Sequence, residues 1–337
     1  MRSMSFWNRM LALVLILVVA LGAFAFYLKY QQDREMDLSW PAEEYLSGNS
    51  SLSEFRLMTA EPYSADLCVS PASLACEGIT LQSGQERALL FDIYDQTPYF
   101  AQGIYDRIYP ASLTKIMTAL LVLEHGNMED TVVMEDSDFQ MEEDSQVSGL
   151  VTGDTLTVGK LLRVLLVYSG NDAALALARH IGGSTENFVA MMNEKASELG
   201  MTGTHFCNPH GLHEEEHYTT AYDVYLMLNA AITYSEFTDI IQMNYYQLEG
   251  THADGSEFVL WLNSTDMYLT GDYAVPEGVS LIGGKTGTTD QAGSCLALYS
   301  QNKYGIPFIS VVVNAATKPD LYTDMSALLQ AENSSQS

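Results

Sequence analysis

Residues 88–125 read ALLFDIYDQTPYFAQGIYDRIYPASLTKIMTALLVLEH, and the fold class turns on how this stretch divides. Residues 88–93 are short and almost wholly apolar, the pattern of a buried strand. Residues 94–98 carry Asp95, Gln96 and Pro98 and read as a turn, and Tyr99-Phe100-Ala101 begins a return strand. Pro110 then opens an apolar helix that runs to about Glu124 and stops at His125-Gly126-Asn127.

Working outward, the middle of the chain is helix-rich. Helical segments are expected over residues 158–168, over 172–181 before Gly182-Gly183, over 185–199 with Gly200 as the stop, and over 220–232. After about residue 244 the pattern turns to strands: NYYQLE, EFVLWL, GVSLIGGKTG, SCLALYS and PFISVVVNA, followed by a last helix over 319–330. Strands early and late require the N-terminal hairpin to join the late strands in one sheet. The expected fold is α+β, a mainly antiparallel sheet flanked by helices plus a helix-rich subdomain.

Residues 10–28 read MLALVLILVVALGAFAFYL, without a charge. As a helix they rise roughly 28 Å, close to the ~30 Å hydrocarbon core of a bilayer. Arg2 and Arg9 precede them and the first acid is Asp33, so the N-terminus stays cytoplasmic and the rest is exported. Residues 1–29 are therefore read as a cytoplasmic stub and transmembrane signal-anchor, giving a single-pass cell-membrane protein with an extracytoplasmic domain. The rival reading is a signal cleaved after Ala25, which fits the small-x-small pattern Ala23-Phe24-Ala25 and gives a secreted protein. Residues 30–66, polar and broken by Pro41, Gly48 and Pro62, read as a stalk. That leaves 67–331 as the main domain and 332–337 as a tail.

With 337 residues, 15 Lys plus Arg and 43 Asp plus Glu, the chain has a formal charge of −28, which argues against nucleic acid as a partner. Cys68 and Cys76 are close enough in sequence to close a small loop, and Cys295 in an apolar run reads as a buried free thiol. The spacing of His205, His210, His213 and His217 suits no standard metal-ligand pair, so no metal is expected. The acidic run over residues 136–144 reads as a solvated loop.

Three short motifs carry chemistry in combination. Ser112-Leu113-Thr114-Lys115 starts the helix after Pro110, Ser169-Gly170-Asn171 lies in a turn between two apolar helices, and Lys285-Thr286-Gly287, followed by Thr288, ends a strand. Residues three apart on a helix share a face, so Lys115 can reach the Ser112 hydroxyl. A helix N-terminus also offers that serine free backbone N–H groups and a dipole that suits a developing anion.

This motif set resembles the serine D-alanyl-D-alanine carboxypeptidases, the low-molecular-weight penicillin-binding proteins of the peptidase S11 family. Longer strings carry the same resemblance over roughly residues 67–331: PASLTKIMTALLVLE, SGNDAALALA, FVAMMNEKASELGMTGTHFCNPHGL and GGKTGTTDQAG. The second motif follows the first by 57 residues and the third follows after 116 more, in the family order. The resemblance implies catalytic roles for Ser112 as nucleophile, Lys115 as base and Ser169 as proton carrier. It implies substrate binding by Asn171, Lys285, Thr286, Gly287 and Thr288, with the Ser112 and Thr288 N–H groups as oxyanion hole. It implies no cofactor, a peptidoglycan stem peptide ending in D-Ala-D-Ala as substrate, and β-lactams as inhibitors.

Two departures bear on these expectations. Many members carry a second, mostly β domain and a C-terminal anchor, which the N-terminal segment is expected to replace here. Many also carry an Arg after the last strand, near the substrate carboxylate, where residues 314–325 offer only Lys318. The alternatives are a class A β-lactamase, which needs a Glu in an E-x-x-x-N setting after the second motif, and a catalytically silent penicillin-sensing module.

Overall fold

The computed structural model describes residues 67–142 and 145–333. The expected membrane anchor and stalk lie outside these residues, and among the described residues no helix is long and apolar enough to cross a membrane.

The hairpin forms as expected: β2 (Arg87–Asp92) pairs antiparallel with β3 (Thr97–Gln102). They belong to a six-stranded antiparallel sheet together with β1 (Ser73–Leu74), β8 (Ser280–Thr289), β9 (Gly293–Gln301) and β10 (Pro307–Ala315), in the order β1-β3-β2-β10-β9-β8. Its central strands read as unbroken apolar runs because both faces are covered. Leu89 and Phe91 of β2 and Ile309, Val311 and Val313 of β10 enter the core shared with the helical half. Their neighbours Ala88, Leu90, Phe308 and Val312 enter a second core under the last helix, α7 (Lys318–Ala331). Packing continues past that helix: Glu332 is buried with its carboxylate on Ser300 Oγ at 2.7 Å, and Asn333 accepts from Lys303 N.

The helical half centres on α1 (Thr114–His125), in which nine residues, Thr114 through Val122, are buried. Around it lie α2 (Val158–Arg163), α3 (Asn171–Gly182), α4 (Thr185–Glu198), α5 (Ala221–Ala231) and α6 (Ser235–Ile241). Thr157, Ser184 and Thr220 each accept a backbone N–H as N-caps, and Gly200 at φ +74° follows the last residue of α4's final turn as the expected stop.

The expectation of a single sheet fails at β6 (Tyr245–Thr251) and β7 (Glu257–Asn263). They pair with each other and join β4 (Thr131–Val133) and β5 (Thr155–Thr157) in a separate four-stranded sheet, order β4-β5-β6-β7. The physical reason is visible in their burial. Both alternate exposed with more buried residues, so only one face is covered, whereas the main sheet requires apolar residues on both. The helix expected over 158–168 is also two pieces, α2 and then a π-helical turn over Val164–Tyr168. The acidic run is not simply a solvated loop. Asp136–Phe139 forms a 3-10 turn, and Asp138 is buried against Arg179, whose Nε and Nη2 donate to its carboxylate at 3.0 and 2.8 Å. Finally, Cys68 and Cys76 are both free thiols, the first donating to the Asp92 carbonyl, so they close no loop.

Candidate active site

The three motifs converge on one cleft of about 260 Å³ between the β8 edge and the helical half. Ser112, Ser169, Asn171, Thr286, Gly287 and Thr288 line it. Lys115 and Lys285 lie just behind, with 0% and 1% of their surface exposed.

Ser112 sits in a 3-10 turn, Ala111–Leu113, immediately before α1, and its side chain caps no helix. Lys115, in the first turn of α1, therefore meets it as the three-residue spacing requires: Lys115 Nζ lies 3.0 Å from Ser112 Oγ. The same nitrogen donates to Asn171 Oδ1 and to the His210 carbonyl, both at 2.7 Å. Burial and then the nearby Lys285 charge pull the Lys115 amine well below the ordinary lysine range, with Asp172 opposing. A neutral amine has two hydrogens and one lone pair. Asn171 Oδ1 and His210 O accept only, so they take the hydrogens and leave the lone pair to the Ser112 hydroxyl.

Ser169 is delivered by the π-helical turn. Its backbone N–H bonds back to Val164 O and its φ is +68°, a left-handed conformation that takes the chain out of the helix and its side chain toward the cleft. Lys285 Nζ donates to Ser169 Oγ at 3.0 Å and to the Thr286 carbonyl at 2.9 Å. Burial lowers the Lys285 amine to about 7, against the opposing pull of Asp266. Because Lys285 occupies a lone pair of Oγ, the Ser169 hydrogen remains available to a group in the cleft.

Gly287 has a steric reason. A Cβ there would lie 2.9 Å from Ser112 N and 3.1 Å from Ala111 Cβ, so any side chain would push β8 off the serine turn. Gly211 has another: it is at φ +90°, and a Cβ would fall inside the Ala111 carbonyl.

Several residues of the site carry no motif of their own. Asp172, buried in the first turn of α3, accepts from Ser148 N and Oγ at 2.9 and 2.6 Å, and burial pushes its carboxyl up. Thr265 shares a 2.5 Å hydroxyl–hydroxyl bond with Thr286. Lys318 and Tyr322 also line the cleft. The acid next to Asn171 was a signal of sorts for Asp172; Thr265 gave none. Among the described residues no group of three His, Cys, Asp or Glu is placed to hold a metal. Of the histidines weighed as ligands, His210 and His217 are buried and held neutral, both lowered to about 3, first by burial.

An antiparallel sheet with helices on both faces and three motifs meeting at its edge strand define the DD-peptidase and β-lactamase-like class of α+β proteins. Comparison with known sequences narrows this: the chain belongs to the peptidase S11 family, D-alanyl-D-alanine carboxypeptidase, whose model matches residues 94–317. It is similar to the D-alanyl-D-alanine carboxypeptidase DacF of Bacillus subtilis, 35% identical over 232 residues that cover 66% of this chain and 56% of the relative. It is also similar to DacC of Escherichia coli, 29% identical, with 77% of this chain and 64% of the relative covered. The chain thus spans less than two thirds of the length of these relatives. Among solved structures, the Streptomyces K15 DD-transpeptidase aligns with a TM-score of 0.68 and 26% identity, covering 77% of this chain and 99% of that one.

Proposed function

We propose that the protein is a D-alanyl-D-alanine carboxypeptidase that removes the terminal D-alanine from peptidoglycan stem peptides through an acyl-enzyme on Ser112. The observation that carries this reading is the buried Lys115 amine, 3.0 Å from Ser112 Oγ with its hydrogens committed elsewhere. Lys115 takes the Ser112 proton as Oγ attacks the carbonyl between the two D-alanines. The backbone N–H groups of Ser112 and Thr288 receive the oxyanion. As the C–N bond breaks, Ser169 passes its proton to the leaving amine. The proton held by Lys115 then returns to Ser169 and leaves the Lys115 amine neutral. Lys115 next draws a proton from water, whose oxygen attacks the ester, and hands it to Ser112 Oγ as the ester C–O bond breaks. Asn171 bonds the substrate backbone and orients Lys115, while Lys285, Thr286 and Gly287 border the terminal carboxylate. Lys318, exposed and part of the cleft lining, supplies a further cation for that carboxylate.

β-Lactams enter the same route because they present a comparable acyl group, which makes them inhibitors. A class A β-lactamase would hold its deacylating water on a Glu; among the described residues lining the cleft there is no carboxylate. The apolar run over residues 10–28 supports a membrane-anchored domain outside the cytoplasm, and the intact mass of membrane-extracted protein tests it. A mature chain beginning at Phe26 overturns the anchor.

The function is tested by incubating the protein with a pentapeptide stem. Release of one D-alanine per peptide, lost in Ser112→Ala, is the expected result. A folded protein that binds penicillin but releases no D-alanine is the silent sensor instead.

A further inference from the structure

Ala111, just before the candidate nucleophile, is a non-glycine residue at φ +46°, a conformation that persists only where its surroundings hold it. Its carbonyl accepts the Thr114 backbone N–H and is held besides by a chain of side chains to which the three motifs assign no role, Thr114 being one of the unassigned middle positions of the first. Thr114 Oγ1 donates to Ala111 O at 2.8 Å. His217 Nε2 lies 2.8 Å from the same Thr114 oxygen. On the other side of the ring, the Cys207 backbone N–H donates to His217 Nδ1 at 3.0 Å.

These contacts fix every proton in the chain. Nδ1 accepts from Cys207 and so carries no hydrogen. The buried, neutral imidazole then has its one hydrogen on Nε2, which donates to Thr114 Oγ1. The Thr114 hydrogen is left with a single acceptor, the Ala111 carbonyl. Thr114 and His217 are 0% and 2% exposed, so water does not compete for these bonds.

The carbonyl of Ala111 and the N–H of Ser112 belong to one planar trans peptide unit and point in opposite directions. Pulling the carbonyl toward Thr114 therefore turns the Ser112 N–H the other way, toward β8, where the Gly287 Cα leaves room for it. A hydrogen bond accepted by the carbonyl also polarises the same peptide unit and strengthens its N–H as a donor. We infer that His217 and Thr114 are positioning residues that aim and polarise the Ser112 oxyanion donor through the Ala111 carbonyl. This rests on the acyl-enzyme reading given above. Neither side chain touches substrate; both act through the peptide unit between them and the cleft.

The test uses the full chain and a fluorescent penicillin, with the acylation rate measured across antibiotic concentrations. Thr114→Val keeps the side chain's shape and deletes both bonds. It should lower the maximal acylation rate roughly 10- to 100-fold, a misaimed donor costing less than the ~10²–10³ of a deleted one. The half-saturating concentration should stay within about threefold, because the donor acts on the transition state. Thr114→Ser, which keeps the hydroxyl, should restore the rate to within a few-fold. If Thr114→Val does not fold, His217→Phe removes the Nε2 donor to Thr114, together with the Nδ1 acceptor of the Cys207 N–H, and should still slow maximal acylation several-fold. Wild-type acylation rates in Thr114→Val or, failing it, His217→Phe overturn the inference. So does a loss expressed entirely in the half-saturating concentration, or equal losses in Thr114→Val and Thr114→Ser. A wild-type protein that penicillin does not acylate at Ser112 would instead overturn the acyl-enzyme reading on which it rests.

Discussion

Lys285 places its Nζ 3.0 Å from Ser169 Oγ, bringing together residues 116 apart in sequence across the cleft. Lys115 stands behind Ser112 in a parallel arrangement, amine against hydroxyl. The two amines have opposite duties under the proposed mechanism: Lys115 must be neutral to take a proton, and Lys285 must be charged to favour a carboxylate.

That opposition sets a pH dependence. Lys115 is lowered well below its ordinary value, so its neutral form is present above that depressed pKa and lost as pH falls through it. Lys285 titrates near 7, so its charge is present below about 7 and lost as pH rises. The profile of kcat/KM for a D-Ala-D-Ala peptide should therefore be bell-shaped, with an alkaline limb near 7 in the free enzyme. The bound carboxylate stabilises the charged amine, so the limb should move to higher pH in kcat. A kcat/KM profile flat from about pH 6 to 9 would remove Lys285 from this role.

Lys115→Ala should abolish acylation by penicillin while the protein remains folded. No Asp or Glu lies within four residues of Ser112 to act as base. Lys115→Arg should fail as well, because a guanidinium stays protonated throughout the accessible range. Mass spectrometry after a penicillin pulse reads both variants, and an acylated Arg variant would falsify the assignment of Lys115 as base.

The buried ion pair of the helical half predicts a stability effect. Asp138 has a side chain only 1% exposed and takes two bonds from Arg179. Asp138→Ala takes two bonds from the guanidinium, which keeps those to Glu135 Oε1 and the Val133 carbonyl and is itself 23% exposed, so water offsets part of the loss. A loss of roughly 2–3 kcal/mol in urea unfolding is expected, at or below the lower end for a broken buried pair. Stability within 0.5 kcal/mol of wild type, about the scatter of ordinary surface changes, would mean the pair contributes little.

What the sequence disclosed and what it hid follow from the range of the interactions. β2, β9 and β10 were legible because burial on both faces leaves a continuous apolar run in one short stretch. β4 and β5 were not, being three residues each and stabilised by pairing rather than by any pattern of their own. Seven-residue α6 offers too few turns for a period to emerge. In the site, Ser112 and Lys115 were legible because helix geometry alone brings them together. The Asp138–Arg179 pair joins residues 41 apart, and the His217–Thr114 contact joins residues 103 apart, so neither left a local trace.

Lys318 is an exposed residue and the cation of the cleft lining, which under the proposed reaction makes it a partner for the substrate's terminal carboxylate. Lys318→Ala should raise KM for the peptide about tenfold, the lower range of a charged hydrogen bond, with kcat changed far less. A peptide amide, lacking the carboxylate, should show no difference between wild type and variant. An equal KM increase for acid and amide would assign Lys318 a structural effect instead.

The lifetime of a penicillin adduct separates a carboxypeptidase from a β-lactamase. Penicillin should open on Ser112 and form an ester, as the peptide does. With the peptide, the leaving D-alanine diffuses out of the cleft and water approaches the ester from the vacated side. With penicillin, the opened ring keeps the leaving amine tethered to the acyl group, where it obstructs that approach. A Glu-held water would overcome the obstruction, and no carboxylate lines the cleft among the described residues. Lys115 and Ser169 are the groups left to manage deacylation, and with penicillin they must do so against the obstructed approach. The adduct on Ser112 should therefore outlive many peptide turnovers, so that intact mass after a short penicillin pulse shows a stoichiometric shift that decays slowly. Rapid catalytic loss of the antibiotic with no trapped species would place the protein with the β-lactamases instead.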